Sequence, residues 1–414
     1  MKIVIAAAAA ACLAAYVFVY ATGLAPAPIR SDGFSYYVYL PSWFIYHDVS
    51  LASVADDCCG GEFPASTAII RWPGTHRWVN AHPIGVAVMQ APFFAIAHAL
   101  TRWTNLSADG FTLYYEHAAG VAGLFWTVVG LWVLGGVLRR HFSGAVAAAT
   151  LGTILLGTNL FHYATFDSSY SHAYSFFLFS ALLAAVERWN RDERLAIAVI
   201  AGVIAGLIVL VRHTNVLLVL CFAPLLRHDA RRLVVAAGVF LLVLSPQLLI
   251  YSYATGRPIV SSYGELGFNF TSPQLFGVLF STQKGLFFWS PVLLLACAGF
   301  AIALHARSSA RRLIVASVVF LSIDTYVIAS WWDWQFGGSF GHRGFVDALP
   351  LFAVGLAAFY QWTAASALLR AAAGVIVVCA VALNLFQMAQ YWHHLLPFSD
   401  LTWQQYREVF LRWH

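Results

Sequence analysis

Two carboxylates and three cations stand where apolar stretches of the chain give way to polar ones. Asp32 sits in RSDGFSYYVYLPSWFIYHDVSL, just past the first apolar run, and is followed by Gly33, Tyr36, Tyr37, Tyr39, Trp43 and Tyr46. A carboxylate beside a wall of aromatic rings suits proton abstraction from a group stacked on that wall. The same residues also suit an interfacial aromatic belt, with Asp32 capping the next helix. Asp167, in ATFDSSYSHAYSFF with His172, lies at the end of another apolar run. A carboxylate at such a boundary is costly unless it is paired or faces water, which marks it as a functional candidate; a helix cap is the other reading.

The cations are Arg212 in VRHTN, Lys284 in STQKGLFFWSP and Arg343 in WWDWQFGGSFGHRGF. Arginine matches phosphate because its planar fork donates in pairs, and Gly337, Gly338 and Gly341 would let backbone N–H groups approach an anion. Snorkelling to lipid headgroups is the alternative for each cation taken singly. Asp324 and Asp347 are placed to neutralise them. NAHPIGVAVMQAPFFAIAHAL adds His82 ahead of Pro83, a residue suited to the first position of a helix.

These residues are carried by a chain of 414 residues that is 61% hydrophobic and only 10% charged. So much apolar surface cannot be buried in one water-soluble core, which excludes a soluble enzyme, a nucleic-acid binder and a disordered scaffold. Runs of about 20 apolar residues recur throughout and predict an all-α polytopic membrane protein rather than a barrel. Eleven spans are expected: 3–24, 116–138, 145–163, 172–186, 195–211, 215–226, 233–253, 289–304, 313–330, 345–362 and 371–391. The first is expected to be a retained helix rather than a cleaved signal, whose apolar core would be about 7–15 residues.

Charge tests this count. With the amino terminus inside, Lys2, Arg139/Arg140, Arg188/Arg191/Arg194, Arg227/Arg231/Arg232, Arg307/Arg311/Arg312 and Arg370 fall in short inner loops, 13 of the 23 Lys and Arg. This sorting requires residues 84–100 to lie along the outer surface or re-enter. Residues 25–115 then form one long outer loop with interfacial helices. Further outer segments are 254–288, 331–344 and the tail 392–414, within one integrated membrane domain spanning 1–414. Chemistry is expected on that loop-rich outer face.

Of six cysteines, Cys12, Cys221, Cys297 and Cys379 lie in apolar runs and read as small buried hydrophobes. Cys58 and Cys59 are adjacent, which matches no zinc spacing and leaves a vicinal disulfide open. No H-E-x-x-H or comparable spacing occurs, so no cofactor is expected and the sequence gives a divalent metal no support.

Taken in order, these features resemble the GT-C superfamily of integral-membrane glycosyltransferases, which includes aminoarabinose transferases and protein O-mannosyltransferases. The resemblance rests on Asp32 after the first helix, the long loop ending in the His82-Pro83 helix, and LRRHFSGAVAA at an inner turn. Asp167 and the late WQFGGSFGHRGF segment complete it. The sequence departs from the family in having a single Asp32 where paired acidic residues are frequent, and no large soluble carboxy-terminal domain. The resemblance implies transfer of a sugar from a polyprenyl-phosphate donor to a hydroxyl on a glycolipid, polysaccharide or protein, with inversion. It implies a bacterial inner-membrane protein with a periplasmic site. Asp32 would be the general base, with Asp167 a second catalytic group orienting the acceptor. Arg343, Lys284 and Arg212 would hold the donor phosphate, while Tyr36, Tyr37, His82, His172, Trp334 and His342 would contact sugar or acceptor. The partners are then the lipid-linked donor, membrane lipids and the acceptor. A lipid-linked-glycan flippase or transporter and an O-antigen-type ligase or polymerase are the competing classes. Polar residues gathered at one face, rather than at midplane in two related halves, weigh against transport.

Overall fold

The structure is a computed structural model that describes residues 1–261, 266–306 and 310–413; Arg307, residues 262–265 of the second long loop and His414 lie outside the described residues. The chain is 68% helical, with almost no sheet. It opens with α1 (Lys2–Ala21), then α2 (Asp32–Tyr37), α3 (Tyr39–Phe44), α4 (Ala52–Cys59) and α5 (Gly85–Thr101). The bundle continues through α6 (Leu113–Leu138), α7 (Gly144–Leu156), α8 (Leu160–Thr165), α9 (Ser171–Trp189), α10 (Leu195–Val211), α11 (Val216–Phe222) and α12 (Ala230–Thr255). It closes with α13 (Leu275–Phe280), α14 (Leu286–Trp289), α15 (Val292–His305), α16 (Arg311–Ser330), α17 (Leu349–Thr363), α18 (Ala367–Trp392) and α19 (Trp403–Val409).

Among the described residues five helices, α1, α6, α12, α16 and α18, are long and apolar enough to cross a membrane. Shorter apolar helices include α5, α7, α10, α15 and α17. Leu242 on α12 and Val378 on α18 are exposed on outer faces, which suits contact with lipid rather than water. The eleven expected runs all fall on helix, but length and hydropathy by themselves mark five crossings. Two runs are also broken. The 145–163 run splits at Gly157–Asn159 into α7 and α8, and the 215–226 run is a single short helix flanked by 3-10 turns at His213–Asn215 and Ala223–Leu225.

Helix α9 is the hub. It is buried along most of its length and packs against α6, α10 and α17. Helices α15 and α17 approach so closely that a side-chain carbon at Gly299 would meet the backbone of Gly355. Small residues at such a crossing let two apolar helices gain close backbone contact.

Charge separates the ends of the bundle. Where α6 and α9 end and α12 begins, Arg140 and His141 pair with Glu187, and Arg188 and Arg194 pair with Asp192. The Arg232 guanidinium stacks over Trp189 at 4.0 Å in the same region. The opposite end carries the long 25–115 segment. Its helices were expected, but its hairpin was not: β1 (Ile69–Arg71) pairs antiparallel with β2 (Trp78–Asn80). The Trp72-Pro-Gly turn closes it, and Arg71 stacks on Trp78 at 4.1 Å.

In α5, the Met89 carbonyl accepts from Trp126 Nε1 at 3.1 Å, and His98 Nδ1 bonds the Tyr115 hydroxyl at 2.6 Å. Helix α5 therefore runs antiparallel to the first half of α6 and ends where α6 begins. Cys58 and Cys59 form a disulfide at the end of α4. Cys12 is buried, Cys221 is intermediate, and Cys297 and Cys379 are exposed rather than buried, because they face outward from their helices.

The α15–α17 crossing can be tested with Gly299→Ala. Its Cβ has no free space, so the variant should lose about 1–3 kcal/mol of stability, read as a lower unfolding temperature in nanodiscs.

Candidate active site

Asp32 opens α2, the six-residue helix that follows a left-handed Ser31 (φ 47°). Its carboxylate does not cap that helix. Instead Oδ2 lies 2.8 Å from Arg343 Nη1 and 4.0 Å from His82 Nε2. Gly33 lets the start of α2 press onto the 167–170 turn, since a Cβ there would collide with the Ser169 hydroxyl. Burial alone would lift the Asp32 carboxyl, but Arg343, backed by His82 and His172, outweighs it and holds the group below the usual carboxylate range. Burial pushes His82 down to about 4 in spite of Asp32, so it is neutral at pH 7.

Asp167 lies between α8 and α9 and does not cap α9. Its Oδ1 is 2.6 Å from Arg30 Nη2 and its Oδ2 is 2.8 Å from His162 Nε2. Trp392 Nε1 donates to His162 Nδ1 at 2.9 Å, which leaves Nε2–H to donate to Asp167. Arg30 also donates to the Phe166 carbonyl at 2.9 Å and to that of Ala27. Burial opposes ionisation of Asp167, yet Arg30 and His162 bring it down to about 2.

Arg343 begins the 3-10 turn Arg343–Phe345 that leads into α17, and its guanidinium lies 5.9 Å from the Tyr170 ring centre. The preceding glycines are in play: Gly337 and Gly341 adopt left-handed backbone, and Gly341 packs beside Asn159. Asp347, just beyond Arg343, pairs with Arg212 instead, at 3.3 Å from Oδ2 to Nη1. His172 Nδ1 at 2.9 Å and Asn215 Nδ2 at 3.1 Å complete its shell.

Lys284 is buried. Its Nζ donates to the carbonyls of Phe398, at 2.6 Å, and Ser339, and so ties the glycine-rich segment to the chain beyond α18.

The structure thus gathers Asp32, Arg343, His82, His172, Asp347, Arg212 and Asp167. Tyr36 joins them, its ring 4.5 Å from that of His82 and its hydroxyl 3.0 Å from Ser171. Tyr37 is in the core, with its hydroxyl on the Gly110 carbonyl. Trp334 lies over Gly277, and His342 is buried between Phe336 and Phe345. Arg30, Asp32, Arg212 and Arg343 keep 14–22% of their side chains exposed and so reach solvent, whereas Asp167 and Asp347 keep 9% and 4%. Among the described residues no group of three or more His, Cys, Asp or Glu is arranged to hold a metal ion.

Sequence reasoning missed Arg30, His162 and Trp392. Arg30 was detectable two positions before Asp32, and His162 about one helical turn before Asp167. Trp392 carried no signal, since it is 230 residues from the histidine it orients.

No protein-family model and no curated protein matches the sequence. The fold is similar to that of ArnT from Cupriavidus metallidurans, whose crystal structure holds undecaprenyl phosphate. The TM-score is 0.53 at 14% identity over 93% of this chain. The chain spans 64% of the length of ArnT.

The Lys284 clamp predicts a pH effect. Burial, with repulsion from Arg343, pushes its ammonium down to about 7, below the ~10.4 of an unfolded lysine. The folded chain therefore holds this proton less tightly, and the stability this residue contributes rises with pH across that window. The unfolding-temperature gap between wild type and Lys284→Met should widen as pH is raised from about 6 to 9.

Proposed function

We propose that the protein is a single integrated membrane glycosyltransferase that moves a sugar from a polyprenyl-phosphate donor to a hydroxyl acceptor, with inversion. The observation that carries this reading is the partly exposed Asp32–Arg343 pair. It sits in a fold similar to that of a protein crystallised with undecaprenyl phosphate. The reaction needs a base for the attacking hydroxyl and a cation for the departing phosphate, and the pair supplies both.

In this reading the acceptor oxygen attacks the anomeric carbon and passes its proton to Asp32. The bond from that carbon to the phosphate oxygen breaks, and its electron pair leaves on a phosphate stabilised by Arg343. Arg212, also partly exposed, is the supporting cation. Lys284 acts through the loop it anchors. Asp167, fixed between Arg30 and His162, orients the acceptor side, and Tyr36, His82 and His172 line the sugar. Tyr37, Trp334 and His342 support that wall from behind. The mechanism calls on no metal. Basic residues collect at the opposite end of the bundle, which supports a cytoplasmic assignment for that end and an outer-face position for the site. The lipid tail would run along the apolar helix faces.

The test is single-turnover transfer in nanodiscs from a panel of undecaprenyl-phosphate-linked hexoses and pentoses. Wild type should release undecaprenyl phosphate. Asp32→Asn should lose about 10²–10⁴-fold in rate and Arg343→Gln about 10²-fold, each measured at a temperature where thermal unfolding shows the variant to be folded. Near-normal turnover by Asp32→Asn would rule out the base assignment. Release of a diphosphate from an oligosaccharide carrier would favour a glycan ligase or polymerase.

A further inference from the structure

Among the described residues the cations of the site are all engaged. Among the described residues each of its guanidinium groups faces a carboxylate: Arg343 faces Asp32, Arg30 faces Asp167 and Arg212 faces Asp347. Lys284 is committed to two backbone carbonyls. A phosphate that enters must therefore draw a guanidinium away from its carboxylate.

The three pairs differ in what such an exchange leaves behind. Asp167 would keep its 2.8 Å bond to His162, and Asp347 would keep His172 and Asn215. Among the described residues Asp32 would keep His82, at 4.0 Å, and the longer-range pull of His172, neither of them within hydrogen-bond distance. Arg30 is further pinned by two backbone carbonyls. Arg343 by contrast has a buried Nε with no acceptor among the described residues. The Tyr163 hydroxyl, electrostatically coupled to Arg343, is likewise buried without a partner. Two unused donors around the most weakly backed pair mark where an incoming anion gains most.

We propose that the donor's phosphate and the Asp32 carboxylate compete for Arg343, so that donor binding itself unmasks the base. The proposal rests on the donor-phosphate reading above and adds an order of events: the donor binds before the acceptor can be deprotonated. In the unliganded protein Asp32 is a weak base because Arg343 stabilises its anion. Once Arg343 turns to the phosphate, burial and a new neighbouring negative charge both favour the protonated carboxyl. The same guanidinium then stabilises the leaving group, so the base is competent only when the cation is in place for departure.

Competition predicts an effect opposite in sign to that of losing an ordinary site residue. Binding of undecaprenyl phosphate and of dodecyl methyl phosphate, a diester of fixed charge, is measured by calorimetry on nanodisc-embedded protein. Asp32→Asn and Asp32→Ala, each checked by thermal unfolding, should bind both probes about tenfold tighter than wild type, the worth of one charge-assisted hydrogen bond. Arg343→Gln should lose at least as much affinity. If wild type binds and both Asp32 variants bind equally or more weakly, the competition is disproved while the donor reading stands. Tightening by Asp347→Asn alone would move the exchange to Arg212 and also overturn it. If neither wild type nor the Asp32 variants bind either probe, the donor-phosphate reading fails and the exchange with it.

Discussion

Pairing of charge in an apolar medium is the constraint on which the rest of this molecule depends. A carboxylate withdrawn from water is tolerable only when a cation or a set of hydrogen bonds replaces its hydration. Asp32 meets that condition through Arg343, a residue more than 300 positions away in sequence. To bring them to 2.8 Å the chain must deliver the start of α2 and the turn before α17 to one place. Asp167 with Arg30 and Asp347 with Arg212 repeat the solution beside it. The three pairs join the first long segment, the α8–α9 turn, the end of α10 and the turn before α17.

Several features that look unrelated serve this convergence. The buried hub helix α9 presents His172 at its first turn, beside Asp347 and within electrostatic reach of Asp32. Gly33 admits the close contact between α2 and the 167–170 turn. The Lys284 ammonium, with no carboxylate in hydrogen-bonding contact among the described residues, holds the glycine-rich segment against residue 398 and so sets the backbone from which Arg343 projects. Trp392 at the end of α18 fixes the tautomer of His162, and through it the orientation of Asp167. Each of these residues acts through position rather than through contact with a reacting atom.

The two ends of the bundle divide their charges by task. At one end arginines lie near helix termini in exposed pairs such as Arg188–Asp192 and Arg194–Asp192, where water screens them and their energetic worth is small. At the other, the pairs are withdrawn from water, and the energy of each depends on which partner is present.

Composition and hydropathy alone determined that the chain is a helical membrane protein, because apolar runs of that length admit few other fates. The uneven placement of arginines sorted its segments into two ends. Asp32, Asp167 and Arg343 were recognisable because charge is scarce in such a sequence and these residues stand at boundaries. The hairpin at 69–80 escaped notice because three-residue strands are too short to show a period. The break of the 145–163 run escaped because hydropathy continues through Gly157. Only the tertiary structure decided that Arg343 answers Asp32 while Asp347 answers Arg212, that Arg30 belongs to the site, and that Lys284 is bound to carbonyls. Those assignments are contacts between segments far apart in the chain, set by helix packing that no local spacing encodes.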